Sequence, residues 1–337
     1  MEKNVLLIDD EAALRRHVSM GLMQQGYRTE PCENGMKGLE TLDTLMKRKV
    51  PLECAIVDVR LPDIDGFKLL KVIKSYYPDL PVVMITGYGN DNTAIEAKNQ
   101  MAAAYLEKPF SMEDLTKVLA EMPASTTPAA DSGLATPQAT PSAAQSTTAY
   151  ALINLKSDAN FLKVYRTLYY QENVVYCDAI RGDHDMVLLL QADTFKNIEA
   201  IVKNKIKTIP GVADASLLSV EVPTFSENVH SMIGYVDKAL GRDKAGEDVV
   251  TTQAARVRAS SYVMMEIEKE KLEAIYPALY FNDQVVYCDY THGKYDIVLL
   301  VKGTSFSEIE NTIRTKFKTM DGVLRIKEWP ILTLFEV

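Results

Sequence analysis

Five polar residues in the first third of the chain stand at the ends of apolar runs, and their types suit phosphoryl transfer. Asp9 and Asp10 end NVLLIDD, Asp58 ends CAIVD, Thr86 ends PVVMIT, and Lys108 follows AAYLE. Carboxylates gathered at one place repel one another unless a cation neutralises them, and an oxygen-only set suits a hard ion such as Mg2+. Phosphoryl transfer needs an in-line oxygen nucleophile, a metal on the phosphoryl oxygens, and donors for the charge spread over them. Asp58 would be the nucleophile, Asp9, Asp10 and Asp58 the metal ligands, and Lys108 and Thr86 the donors.

That chemistry requires the five residues to converge, and the surrounding pattern supplies the means. Residues 1–122 alternate short apolar runs with segments of helical period: EAALRRHVSMGLMQQ, MKGLETLDTLMKRK, FKLLKVIKSYY, NTAIEAKNQM and MEDLTKVLAEM. Strands alternating with helices predict a doubly wound five-stranded parallel sheet, flavodoxin-like, which places ligands outside the carboxyl ends of its strands.

The segments LLIDDEAALR, DVRLPDIDGF, MITGYG and YLEKPF resemble the four landmark segments of the bacterial receiver family, in order and approximate spacing. The resemblance spans residues 1–122. It implies that Asp58 is the phosphoacceptor, that Asp9 and Asp10 serve the Mg2+, and that the backbone carbonyl of Arg60 completes the metal shell. It further implies that the Thr86 hydroxyl moves toward the phosphoryl group, that Lys108 pairs with it, and that Pro109 follows a cis peptide bond. Tyr105 would be the aromatic switch that turns inward with Thr86, remodelling the face around the fourth helix, fifth strand and fifth helix. Arg60 and Tyr88 would tune the lifetime of the acyl phosphate. A sensor histidine kinase is the implied partner.

Residues 123–149 change character: PASTTPAADSGLATPQATPSAAQSTTA lacks aromatic residues, Lys and Arg, and reads as a flexible tether. Beyond it the sequence repeats. VVYCDAIRGDHDMVLLLQ from Val174 matches VVYCDYTHGKYDIVLLVK from Val285 at an offset of 111 residues. Each copy reads strand, helix, strand, tight turn, strand, helix, strand, a βαββαβ order that predicts a ferredoxin-like fold over residues 150–223 and again over 260–337. The final strands are expected at SLLSVEV and ILTLFEV. Residues 224–259 join the copies and contain an amphipathic candidate helix, NVHSMIGYVDKAL, with no evident place to dock.

The repeated pattern resembles the ligand-binding domain of the Lrp/AsnC-type regulators, relatives of the ACT fold, but with no helix-turn-helix. The resemblance implies paired sheets and a small effector, such as an amino acid, bound near the Gly-x-x-Asp turns at Gly182, Asp185, Gly293 and Asp296. The residues themselves leave a plainer reading open, in which Gly and Asp serve only the turn. Cys177 and Cys288 lie in apolar strands and read as core, and His184 and His292 do not occupy equivalent positions.

The composition is that of a soluble globular protein: 47% apolar and 25% charged residues, with no apolar run near the roughly 20 residues needed to span a bilayer. Four scattered cysteines suggest a reducing compartment, and a cytoplasmic bacterial protein is expected without membrane insertion. A net charge of −9 weighs against nucleic-acid binding. The expectation is a response regulator of a two-component system, not an enzyme in its own right. Its duplicated output module would bind a ligand or partner instead of DNA and would self-associate through its ACT-like domains. The alternatives are a transcription regulator acting on DNA through oligomers, or an amino-acid sensor with a degenerate receiver.

Overall fold

The computed structural model describes residues 3–87, 102–122, 147–240 and 259–332. The expected fourth helix, NTAIEAKNQM, lies outside them. The described elements form two compact units.

In the first unit β1 (Lys3–Ile8), β2 (Tyr27–Cys32), β3 (Leu52–Asp58), β4 (Val82–Thr86) and β5 (Ala104–Glu107) form a five-stranded sheet in the order β2-β1-β3-β4-β5. Every pairing is parallel. Helices cover both faces, so the central strands read as unbroken apolar runs: Val5 to Ile8, Ala55 to Val57 and Val82 to Ile85 are all fully buried. Helices α1 (Ala12–Gln24) and α4 (Met112–Glu121) place Val18, Leu22, Leu115 and Leu119 against one face. Helices α2 (Gly35–Lys47) and α3 (Gly66–Tyr76) cover the other. Asn34 caps α2 through Lys37 N at 2.8 Å, and Ser111 and Asp114 form a capping box on α4.

Helix α7 (Glu227–Leu240) belongs to this same unit although it lies between the repeats in sequence. It buries Met232, Tyr235 and Val236 against α2 and α3.

The second unit holds both repeats. The first comprises β6 (Thr147–Leu155), α5 (Phe161–Tyr169), β7 (Val174–Ala179), β8 (Met186–Ala192), α6 (Phe195–Ile201) and β9 (Val212–Glu221). The second comprises β10 (Ala259–Ile267), α8 (Leu272–Tyr280), β11 (Val285–His292), β12 (Ile297–Gly303), α9 (Phe306–Thr312) and β13 (Val323–Pro330). In both, the second helix runs on into a π-helical turn, Val202–Ile206 and Ile313–Phe317, so the duplication reproduces even this irregularity.

Two boundaries differ from expectation. Thr147 already pairs with Ala192, three residues inside the expected tether. The last described strand is Val323–Pro330, upstream of the expected run ILTLFEV, of which only Ile331 and Leu332 are described. In VLRIKEWP the exposed Arg325 and the half-buried Lys327 disguise a strand whose Trp329 is 2% exposed.

The eight strands make one sheet in the order β13-β10-β12-β11-β9-β6-β8-β7. At its middle β9 joins β11 through Tyr290↔Glu221, Thr291↔Val220 and His292↔Ser219. Its two ends meet in the same way: Ile180 bridges Ile331, Arg181 N donates to Pro330 O at 2.9 Å, and Leu332 N donates to Ala179 O at 2.8 Å. These are the positions 111 residues from those of the β9–β11 join, so the pair has an internal two-fold relationship and the sheet closes on itself. The repeats therefore pair within the chain. Their shared core contains Tyr150, Leu152, Val187, Leu218, Tyr262, Met264, Tyr295, Val298 and Trp329.

Candidate functional site

The carboxyl ends of β1, β3 and β4 bring the sequence-predicted residues together. Asp9 follows β1 and is fully buried, Asp58 is the last residue of β3 at 5% exposure, and Thr86 is the buried last residue of β4. One carboxylate oxygen from each of Asp9, Asp10 and Asp58 lies within 4.8 Å of the others. Lys108, just beyond β5, spans the pair: its Nζ lies 2.7 Å from Asp9 Oδ2 and 2.7 Å from Asp58 Oδ2. Its amide donates to Thr86 O at 2.6 Å, and the Lys108–Pro109 peptide bond is cis.

Local backbone bonds fix the acids. Asp9 Oδ1 accepts from Glu11 N at 2.8 Å, and Asp58 Oδ1 accepts from Arg60 N at 3.1 Å. Burial pushes the Asp9 carboxyl up, against the pull of its bonds to Lys108 and Glu11. Burial also disfavours the Lys108 ammonium, yet the hydrogen bonds it donates to Asp58 and Asp9, with their negative charge, outweigh it and hold the group above its ordinary range. Each result expresses the same cost, charge withdrawn from water and compensated only by opposite charge. The all-oxygen donor set with a gap between three carboxylates fits a hard divalent cation such as Mg2+.

Tyr105 is half-buried on β5, opposite Met84 of β4. Tyr88 lies outside the described residues. Sequence reasoning passed over two supporting groups. Asp63, in the loop after β3, accepts from Gly35 N at 2.9 Å and Met36 N at 2.7 Å, pinning the start of α2. Gly66 opens α3 directly under the end of β3: its amide donates to Val59 O at 2.9 Å, and a Cβ there would collide with the Asp58 carbonyl. The DIDG spelling was visible, but which amides Asp63 reaches depends on the packing of α2.

In the second unit the turn residues serve architecture. Asp185 accepts from Leu155 N at 2.7 Å and Asp296 from Ile267 N at 2.9 Å, so each ties its turn to the first strand of its own repeat. Gly182 lies flat against the Trp329 indole, and Gly293, at φ 145°, lies against Leu218, the residue equivalent to Trp329. Cys177 and Cys288 are buried, and desolvation pushes both thiols up, with Cys288 well above its ordinary range. His184 shares Nδ1 with Asn154 Oδ1 at 2.9 Å and meets Trp329 edge-on, whereas the exposed His292 ends β11.

The comparisons with known proteins fall on the same boundaries. The model of the response regulator receiver domain matches residues 5–120. The N-terminal unit is a receiver domain. The model of the Lrp/AsnC ligand binding domain matches twice, at 148–220 and 260–332, so the duplicated module is a tandem pair of these domains. The receiver is 33% identical over 118 residues to a putative response regulator NtrX-like of Rickettsia felis, covering 34% of this chain and 24% of that one. It is 36% identical over 120 residues to the response regulator protein FleR of Pseudomonas aeruginosa, covering 36% of this chain and 24% of that one. The chain thus spans about a quarter of the length of these curated relatives. Among solved structures, a CheY-like receiver domain protein from Methanospirillum hungatei JF-1 matches at 27% identity and TM-score 0.33, covering 36% of this chain and 93% of that one. Among the described residues no helix is long and apolar enough to cross a membrane.

Proposed function

We propose that this chain is a response regulator of a two-component system in which Asp58 accepts a phosphoryl group from a sensor histidine kinase and the tandem Lrp/AsnC-type pair is the output. The observation that carries the reading is the convergence of three carboxylates with Lys108 at the carboxyl edge of the receiver sheet. An Asp58 oxygen attacks the phosphorus of a phosphohistidine; the new P–O bond forms as the P–N bond breaks, and the imidazole leaves and takes up a proton. Asp9, Asp10, Asp58 and the Arg60 carbonyl would hold Mg2+, which when bound neutralises charge on the phosphoryl oxygens. Lys108 and the Thr86 hydroxyl then bind the oxygens of the acyl phosphate. Tyr105 acts as the aromatic that follows Thr86, and Arg60 and Tyr88 set access of water to the phosphoryl group.

The output acts by binding a ligand or partner, a reading supported by the net charge of −9 and by the domain type. A small effector such as an amino acid would bind near the Gly182–Asp185 and Gly293–Asp296 turns. Calorimetry with a panel of amino acids tests that part, and tight, sequence-specific promoter binding in a gel shift would contradict it. For the receiver, intact-mass spectrometry with Mg2+ and acetyl phosphate should show one added phosphoryl group. The gain should vanish in Asp58→Asn or without Mg2+. A gain that persists in Asp58→Asn, or none in the native chain, overturns the assignment.

A further inference from the structure

Helix α7 leaves the repeats after β9 and has no role in their shared core, yet it is amphipathic and its apolar side is covered. Its cover is the receiver. Met232, Tyr235 and Val236 are at most 5% exposed, and Met232 and Tyr235 line a small apolar cavity with Leu39, Leu42, Val72 and Ile73 where α2, α3 and α7 meet. Polar contacts rim the patch: Tyr76 Oη donates to Tyr235 O at 3.1 Å, their rings meet edge-on at 5.7 Å, and Asn228 Nδ2 donates to Glu40 Oε1 at 3.3 Å. An apolar centre with a polar rim is the anatomy of a specific helix-in-groove interface.

The groove is also tied to the phosphoacceptor. Residues Asp58–Gly66 connect β3 to α3, and within this loop Asp63 holds the N-terminus of α2 while Gly66 presses α3 against the Asp58 carbonyl. Both walls of the groove are therefore held at their N-termini by the segment that begins at Asp58. Only Val222–Ser226 separates the end of β9 from the start of α7, whereas 123–149 is the long Pro- and Ala-rich stretch.

We propose that the α2–α3 face of the receiver is a docking surface whose occupant is this chain's own connector helix, and that the Asp58–Gly66 loop couples that docking to phosphorylation. The coupling rests on the reading of Asp58 given above; the docking does not. Occupancy of the groove and the acyl phosphate then bias each other reciprocally, as linkage demands. The signal reaches the tandem pair through the join between its halves instead of through the long tether.

Hydrogen–deuterium exchange on the full chain tests both parts. Residues 227–240 should be protected, and Tyr76→Ala, which alters the groove and not the helix, should speed their exchange by about tenfold or more while β1 and β3 stay protected. Met232→Asp should do the same from the other side. Free exchange of 227–240 in the native chain, or indifference to both substitutions, overturns the docking. Protection that fades on dilution overturns the intramolecular assignment, because the helix then comes from a second copy. With Mg2+ and acetyl phosphate, exchange in 227–240 should change in the native chain and not in Asp58→Asn. A chain that gains the phosphoryl mass with unaltered exchange overturns the coupling. A chain that gains no mass overturns the Asp58 reading and the coupling with it, and the docking result stands on its own.

Discussion

Tyr262 donates a 2.7 Å hydrogen bond to the carboxylate of Asp178 in the other repeat, and Tyr150 makes the equivalent bond to Asp289. The two bonds are one interaction seen twice, because the internal two-fold relationship exchanges β6 with β10 and β7 with β11. They place paired acids inside a largely apolar core, where each accepts a hydrogen bond from a phenol of the opposite copy.

Tyr262→Phe removes the bond to the buried Asp178 and should destabilise the tandem pair by about 1.5–3 kcal/mol, the net worth of a hydrogen bond to a charged group. The single tryptophan, Trp329, lies in this core, so its fluorescence during urea unfolding reports on this unit. A loss below about 0.5 kcal/mol would mean that the phenol contributes packing alone.

The pH dependence of the same core has a defined sign. Desolvation lifts the Asp289 carboxyl above its ordinary value despite the bond from Tyr150. The folded state therefore keeps a proton that the unfolded chain has already released, and unfolding free energy should fall as pH rises from about 4 to the raised value, then level. Asp289→Asn should flatten that segment; a profile unchanged by the substitution would assign the slope to other groups.

Lys108 is the cation shared by Asp9 and Asp58. Lys108→Ala should cost the metal-free receiver about 2–3 kcal/mol, since two buried acids lose their compensating charge. Added Mg2+ should recover more stability in the variant than in the native chain, because a ligand that binds only the folded state stabilises by mass action. Melting curves with EDTA and with Mg2+ read both effects, and equal Mg2+ responses would argue against a cation site at these carboxylates.

Gly182→Ala introduces a Cβ into the Trp329 indole, which is itself held edge-on by His184 and Tyr295 and has little room to yield. The expected cost is about 1–3 kcal/mol. Gly293→Ala meets the more pliant Leu218 but adds strain at φ 145°. If calorimetry of the full chain shows no drop in the melting of the tandem pair for Gly182→Ala, the close glycine–indole packing is not a constraint.

The receiver was legible because both faces of its sheet are covered: Val5–Ile8 and Ala55–Val57 stand out as apolar runs, and the polar residues that stop them mark the carboxyl edge of the sheet. Asp9, Asp58, Thr86 and Lys108 were found this way, and the structure brings them together. Asp63 and Gly66 were not, because their partners lie in helices whose packing no spacing encodes. The repeat was legible through its 111-residue offset, but in the first strands the offset is 112: Tyr150 corresponds to Tyr262, since five residues join β6 to α5 and four join β10 to α8. Strand β13 was missed because Arg325, Lys327 and Glu328 interrupt it, while the neighbouring ILTLFEV looks more strand-like. The amphipathic face of α7 was visible, but its partner Tyr76 lies 159 residues from Tyr235, beyond the reach of any local pattern.

Closure of the sheet through Ile180 and Ile331 also changes what the molecule can tolerate over evolutionary time. Two identical subunits must accept every substitution twice, once on each side of their axis. Two halves of a single chain are free of that requirement, and these have already drifted: Trp329 stands where its counterpart has Leu218, and His184 where its counterpart has Tyr295. Association that would be second order and sensitive to dilution becomes a first-order folding step, so the pair persists at any expression level while its two ends specialise separately.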